Sequence, residues 1–167
     1  MRAVGIDLGA RRIGVAVSDP EGTVATARQV LRRSGDPAQD YRRLAEIVNE
    51  VGAEVVVVGL PLSLNGEMGP AARAAASEAG ALAEVVGVPL ETHDERLTTV
   101  SAERSLSSLA LKAPARRQVV DMVAAAVILQ SWLDRRRQEQ TDQSSFRGHG
   151  PRNPGGMSSK PARGGRR

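Results

Sequence analysis

Residues 3–18 read AVGIDLGARRIGVAVS, and this stretch decides the fold of the chain. Strict alternation predicts two strands, Ala3–Leu8 and Arg12–Ser18, joined by a short turn at residues 9–11. The alternation is between large and small side chains, so one face of the hairpin is bulky. The other face carries alanine, glycine and serine together with Asp7. Such a bare face permits the close approach of a helix, a metal ion or a substrate backbone.

The rest of the chain alternates helices with strands. Local capping, proline and glycine signals define the elements. In order, they are a third strand over Thr23–Val30, a helix from Pro37 to Gly52, an apolar strand over Glu54–Leu60, an alanine-rich helix over Pro70–Val86, a short strand over Pro89–Asp94, a helix beginning near Thr98 or Thr99, and a last helix from Pro114 to about Arg137. This order predicts an α/β fold in which a mixed five-stranded sheet, three antiparallel strands followed by parallel ones, is flanked by helices.

The composition of the chain limits the classes of protein to which it can belong. The chain has 167 residues, of which 41% are hydrophobic, which suits one domain with a proper core. It contains no cysteine, so disulfides and thiolate metal sites are excluded. The first residues lack a signal sequence, and no apolar run approaches the roughly 20 residues needed to span a bilayer. We therefore expect a cytoplasmic protein.

The net charge of +4 belongs to one end of the chain. Residues 1–138 contain 17 basic and 17 acidic residues, so their formal charge is zero, whereas residues 139–167 contain six basic and two acidic ones. The latter segment is rich in Gly, Pro, Ser and Arg and is poor in apolar residues, which is typical of disorder. We therefore predict a folded domain over 1–138 and a disordered basic tail over 139–167. A basic arm of this kind can also bind phosphate backbones weakly.

Acidic residues stand at three places where a carboxylate is costly. Asp7 lies within an apolar strand, Asp94 and Glu95 follow the fifth strand, and Asp121 lies on or beside the buried stripe of the last helix. Ordinary ion pairs with nearby arginines are one way to offset that cost. The alternative is a divalent cation, and oxygen ligands without cysteine favour Mg²⁺ or Mn²⁺. Such a cluster can support phosphodiester hydrolysis.

Four segments resemble the YqgF/RuvX family of Holliday-junction-resolvase-like proteins, also described as pre-16S rRNA nucleases. They are GIDLGARRIGVAVSD (5–19), GLPLSLNGEMGP (59–70), DERLTT (94–99) and VDMVAAAVILQSWL (120–133), and they occur in the family's order. The resemblance implies an RNase H-like fold and a three-acid catalytic site. Asp7, Glu95 and Asp121 match the family's acidic positions, which implies that they bind one or two Mg²⁺ or Mn²⁺ ions. Strand alternation places Asp94 and Glu95 on opposite faces, and the family pattern favours Glu95.

Further polar residues are candidates for substrate binding. Arg12 and Arg96 can hold phosphate through charged hydrogen bonds, or they can neutralise the acids. Asn65 is a third candidate, although Asn65-Gly66 also reads as a simple turn. Gly59-Leu60-Pro61 is interpreted as a strand end, with a phosphate-binding loop as the alternative. His93 and Trp132 are interpreted as packing residues, and Trp132 also suits a dimer face.

Three functions are compatible with these residues. The first is a metal-dependent endonuclease acting on structured nucleic acid: by the family resemblance it processes the 5′ end of pre-16S rRNA in ribosome biogenesis, or alternatively resolves Holliday junctions in DNA. The second is a non-catalytic RNA-binding factor for ribosome assembly. The third is a sugar kinase or actin-like ATPase, because Gly5–Gly9 also resembles their phosphate motif, but about 138 ordered residues are too few for such a protein. The sequence allows either a monomer or a homodimer.

Overall fold

The structure is a computed structural model that describes residues 1–63, 65–97 and 113–147, and the side chains of these except 97, 113–122 and 144–147. Its centre is a five-stranded mixed sheet. The strands are β1 (Ala3–Leu8), β2 (Arg12–Ser18), β3 (Ala25–Arg32), β4 (Val55–Leu60) and β5 (Leu90–Asp94). They lie side by side in the order β3-β2-β1-β4-β5. The pairs β1–β2 and β2–β3 are antiparallel, whereas β1–β4 and β4–β5 are parallel, which confirms the predicted mixed sheet.

Three helices are described: α1 (Pro37–Glu50), α2 (Pro70–Val86) and α3 (Ala113–Arg147). Asp36 caps α1, since its carboxylate accepts a hydrogen bond from the backbone of Ala38 at 3.0 Å. Helix α2 begins at a proline and ends at Gly87, whose φ of 69° is the left-handed geometry that glycine accommodates. These ends are the ones that the capping signals predict.

The two faces of the sheet are covered differently. Helices α1 and α2 lie on the bulky face, and helix α3 lies on the small-residue face. The buried residues on the small-residue side are Ala3, Ala16, Val55, Val57, Ala125, Ile128, Leu129, Trp132 and Leu133. A Cβ on Gly5 would lie 2.6 Å from Leu129 Cβ and 3.0 Å from the carbonyl oxygen of Ala125. Because only glycine leaves this space, α3 can pack directly on β1.

Strand β3 and helix α3 differ in extent from the predictions, and β3 ends at Arg32 where the sequence predicted Val30. Strand β3 begins at Ala25, two residues after the predicted start, because Asp19 takes the preceding residues into a turn. Its carboxylate accepts hydrogen bonds from the backbones of Thr23 (2.6 Å) and Val24 (2.9 Å). Helix α3 runs ten residues past the expected end near Arg137, so the first residues of the predicted tail are helical. Side-chain pairs one helical turn apart, such as Arg135 with Glu139, each add a few tenths of a kcal/mol to the stability of such an exposed helix.

Some expectations fall outside the described residues. The helix expected near Thr98 or Thr99 and residues 148–167 are among them. The division into a domain over 1–138 and a disordered tail therefore stays a prediction. No helix in the described part of the chain is long and apolar enough to cross a membrane.

Candidate active site

Asp7 lies near the carboxyl end of β1 on the small-residue face, where it is half-buried. It pairs with Gly14 of β2, and Gly5, two residues earlier, pairs with Val57 of β4. Side chains two residues apart share a face of a strand. Asp7 and Gly59 therefore lie on the same face of neighbouring strands, close to the end of the sheet.

Gly59 provides the space in which the second carboxylate lies. A Cβ at this position would contact Oε1 of Glu95 and would come within 2.6 Å of Ile128 Cδ1. Glu95 opens the 3-10 turn Glu95–Leu97 that directly follows β5. Its carboxylate therefore folds back over β4 and lies between the sheet and α3.

The environment of Glu95 favours the protonated, uncharged form of its carboxyl. Burial is the main cause that raises the pKa of its carboxyl from 4.5 to about 7, and the negative charges of Asp7 and then Asp94 raise it further. A like charge acts strongly only at short range in a partly buried site. Glu95 and Asp7 therefore form an electrostatically coupled pair that a cation would stabilise.

Asp94 stands next to Glu95 in sequence but in a different environment. It accepts hydrogen bonds from Arg96 Nε at 2.9 Å and from Arg96 Nη2 at 2.5 Å. This hydrogen bonding with Arg96 is the main cause that lowers the pKa of the Asp94 carboxyl. Asp94 is thus bound to an arginine, whereas Glu95 is turned toward Asp7.

The loop after β4 lies beside Arg96. Gly66 has a φ of 86°, and a Cβ there would lie 3.0 Å from Arg96 Nη1. The side-chain oxygen of Asn65 accepts hydrogen bonds from the Ser63 hydroxyl and from the Glu67 backbone. Asn65 therefore shapes the turn that brings the loop to Arg96, and its role as a substrate contact stays a prediction.

The third predicted acid, Asp121, belongs to the helical backbone of α3, but its side chain lies outside the described ones. It precedes Ala125, which packs on β1, by about one helical turn. Among the side chains that are described, no group of three acids or histidines is arranged to hold a metal ion. The structure therefore describes the side chains of two of the three predicted acids, Asp7 and Glu95, and the triad itself stays a prediction.

Arg12 opens β2 opposite Arg32 of β3 and is half-buried. It has the same parity as Gly14, the partner of Asp7, so its position in the strand belongs to the small-residue face. The three predicted substrate contacts are thus distributed around the two acids: Arg12 on one side, and Arg96 with Asn65 on the other.

His93 and Trp132 are packing residues, as the sequence indicates. His93 is buried and its Nε2 lies 3.0 Å from the Ser131 hydroxyl of α3. Burial is the main cause that lowers its pKa, and the charge of Arg135 adds to the effect. The indole of Trp132 is also buried and donates a hydrogen bond to Glu91 at 2.8 Å.

Gly59 is the residue whose contribution the sequence does not reveal. The sequence predicts a strand end or a phosphate-binding loop for its segment. In the structure, Gly59 leaves the space that the carboxylate of Glu95 occupies. The available signal was a glycine inside an otherwise β-branched strand, because such a glycine marks a close approach. What approaches it depends on strand order, which sequence alone does not fix.

Comparison with known proteins identifies the family. The sequence matches the family described as "RuvX: Holliday junction resolvase" over residues 1–135. A relative from Mycobacterium sp. (strain KMS), named "Putative pre-16S rRNA nuclease", is 50% identical over 137 residues, which is 81% of each chain. A relative of the same name from Pelotomaculum thermopropionicum is 43% identical and covers 93% of this chain and 97% of its own.

The fold has a counterpart among solved structures. RuvC of T. thermophilus, in complex with a Holliday junction substrate, superposes with a TM-score of 0.51 at 18% identity. The match covers 82% of this chain and 96% of that one, and at this identity it shows the shared α/β architecture alone. The chain belongs to the RuvX family of nucleases and has the RuvC-like, RNase H-like fold.

Proposed function

We propose that this protein is a metal-dependent endonuclease that processes the 5′ end of pre-16S rRNA, with Asp7, Glu95 and Asp121 as its catalytic carboxylates. The observation that carries the proposal is the position of Glu95. Its carboxylate lies over Gly59 and under the influence of Asp7, in a site that raises its pKa to about 7. The names of the relatives support pre-16S rRNA as the substrate.

The residues present fit a divalent cation. Asp7 and Glu95 offer only oxygen donors, the type that Mg²⁺ and Mn²⁺ prefer. Two like charges in a half-buried site repel each other, and Asp7 and Glu95 are the residues that would hold a cation there, whose charge would offset the repulsion and favour the ionised form of Glu95. When bound, such a cation activates water and stabilises the leaving oxygen in phosphodiester cleavage.

The protein's own residues orient the reacting groups. Gly59 leaves the space that the carboxylate of Glu95 occupies, and Ile128 of α3 borders the same space. Arg96, positioned by Asp94, and Arg12 supply guanidinium groups that bind phosphate oxygens by forked, charged hydrogen bonds. Residues fixed before the substrate arrives lower the entropic part of the barrier. The proposed cleavage therefore relies on an acid pair flanked by two arginines.

A second candidate substrate is branched DNA. The description of the matched family, Holliday junction resolvase, favours it. Both substrates present phosphodiesters, and the acid pair would act on either in the same way. A resolvase needs two sites related by a two-fold axis, so it would act as a homodimer.

The test is a cleavage assay with the full-length protein. Labelled pre-16S rRNA and a four-way DNA junction are each incubated with the protein in Mg²⁺, in Mn²⁺ and in EDTA. We expect cleavage of the rRNA at its 5′ precursor segment with either metal, and no cleavage in EDTA. Preferential cleavage of the junction would favour the resolvase instead.

Asp7→Asn and its matched control, Asp36→Asn, complete the assay. Asparagine caps a helix about as well as aspartate, so the control keeps α1 intact. We expect the control to cleave like the wild type and Asp7→Asn to bind RNA without cutting it. Equal cleavage by Asp7→Asn would reject the catalytic role of Asp7. An Asp7→Asn protein that fully supports rRNA maturation in cells would instead indicate a non-catalytic assembly factor.

A further inference from the structure

Arginines gather in a cleft beside the acid pair. The cleft has a volume of about 270 Å³ and is lined by Arg11, Arg12, Val30 and Arg32. This is below the roughly 300–1,000 Å³ of sites that enclose small molecules, so it suits a single group such as a phosphate. Arg11 lies in the turn between β1 and β2, and the others lie on the paired ends of β2 and β3.

The strand register places this cleft on the face of the sheet that carries the acids. Asp7 pairs with Gly14, which in turn pairs with Val30, so these three form one row across the sheet. Arg12 and Arg32 form the parallel row two residues away. Strand spacing and rise put the backbone of Arg32 about 12 Å from that of Asp7. The cleft thus adjoins the acids without overlapping them.

The exposed arginines of the cleft, Arg11 and Arg32, differ from nearby arginines in their ion pairing. Arg28 is paired with Glu50 at 2.9 Å, and Arg33 is paired with Glu78. Arg11 and Arg32 are exposed, and neither forms an ion pair within the part of the chain that the structure describes. Like charges gathered at one place repel, and an anion bound between them relieves the repulsion. Guanidinium groups match phosphate oxygens in geometry as well as charge.

We propose that Arg11, Arg12 and Arg32 form a subsite for a backbone phosphate of the nucleic acid, next to the phosphate that is cleaved. This subsite rests on the proposed nuclease function, because it places the same strand across Asp7. Residues 1–138 have no net charge, so their affinity for a polyanion depends on local clusters of this kind. The cleft would set the direction of the strand and contribute binding rather than chemistry.

The test measures RNA binding without cleavage. All proteins carry Asp7→Asn, the buffer contains EDTA, and the probe is a labelled pre-16S rRNA fragment in salt between about 50 and 200 mM. We compare Arg11→Gln/Arg32→Gln with Arg135→Gln/Arg137→Gln, which removes the same charge from exposed positions on α3. We expect the first pair to weaken binding about tenfold at low salt and to reduce the salt slope by about 1 per arginine. The control should retain the slope of the parent protein.

The remaining outcomes separate the subsite from the nuclease. An unchanged slope in Arg11→Gln/Arg32→Gln, an equal loss in the control, or no binding by the parent protein would overturn the subsite. Wild-type cleavage alongside an unchanged slope would leave the nuclease standing. A wild type that does not cut, alongside the expected loss of binding, would reject the nuclease and keep the subsite. Arg11→Lys/Arg32→Lys retains both charges and should recover most of the salt slope. Recovery with the charge alone would show that the loss of binding in the glutamine variant is electrostatic and does not come from a folding defect.

Discussion

The two faces of the sheet differ in the size of the side chains that cover them. The face under α1 and α2 is filled with branched side chains, whose buried members from the strands are Val4, Ile6, Ile13, Val15, Leu31, Val56 and Val58. The face under α3 carries the small residues Gly5, Ala16 and Gly59 opposite the helix, together with Val55 and Val57 of β4. On the first face large side chains fill the space under the helices and exclude water. On the second face small residues leave room for close contacts with α3 and for the acidic side chains.

This difference separates stability from chemistry within one sheet. On the bulky face the removal of one methyl group costs only about 1 kcal/mol, since neighbouring side chains relax in part. On the small-residue face a single added carbon meets either the backbone of α3 or the carboxylate of Glu95. Substitutions on this face should therefore have effects that depend on what lies above each glycine.

The largest effect is expected at Gly5. A valine there would meet Leu129 Cβ and the Ala125 carbonyl, which move only if α3 moves. We expect Gly5→Val to lower the free energy of unfolding by about 3 kcal/mol, as for overpacked cores. Urea unfolding measures this, with Gly80→Ala as a control of opposite sign: nothing lies within 4 Å of a Cβ at Gly80, so alanine inside α2 should raise the free energy of unfolding by up to about 1 kcal/mol. A midpoint equal to the wild type would show that α3 does not pack closely on β1.

Gly59→Ala should affect cleavage more than stability. The added carbon would meet the ends of two side chains, Glu95 and Ile128, and these can shift. We expect the unfolding free energy to change by less than about 1 kcal/mol. A displaced carboxylate should lower the cleavage rate about a hundredfold. Wild-type cleavage by a well-folded Gly59→Ala protein would mean that the position of Glu95 over β4 is not needed.

The third prediction concerns pH in the absence of metal. The pKa of Glu95 is about 7 when folded and 4.5 ordinarily, so between these values the native state binds more protons than the unfolded state. Stability should then fall as pH rises from about 4.5 to 7, and the loss should be complete above that window. After allowance for partial exposure we expect about 1–2 kcal/mol.

Glu95→Gln isolates this effect. The variant cannot ionise, so in EDTA its stability should fall less over the same window, whereas the exposed control Glu84→Gln should follow the wild type. Thermal unfolding at several pH values measures the difference. Identical pH profiles for wild type and Glu95→Gln would contradict the strained carboxylate.

The smallest effect is expected on the bulky face. Ile6 is fully buried there, and Ile6→Val removes one methyl group. We expect a loss of about 1 kcal/mol in the free energy of unfolding and an unchanged cleavage rate for the folded protein. Activity that falls more than stability explains would show that the two faces are not independent.

The sequence predicts the outline of this comparison but not its details. Alternation in residues 3–18 identifies the bare face and puts Asp7 on it, because side-chain direction in a strand is local. The close approach of Glu95 to Gly59 is not local, since it depends on β4 lying between β1 and β5. The start of β3 differs for a local reason, because the side chain of Asp19 accepts hydrogen bonds from the backbones of Thr23 and Val24 and holds them in a turn, which the alternation pattern does not reveal.

The most direct test of the central claim is calorimetric titration of Mn²⁺ into the wild type, Asp7→Asn, Glu95→Gln and Asp36→Asn. The charge of Asp7 acts on Glu95, so replacing either carboxylate should weaken the binding of a cation that both would hold. We expect the wild type and Asp36→Asn to bind Mn²⁺ alike, and Asp7→Asn and Glu95→Gln to bind at least about tenfold more weakly. Equal Mn²⁺ affinity in all four proteins would contradict a metal site at the end of β1.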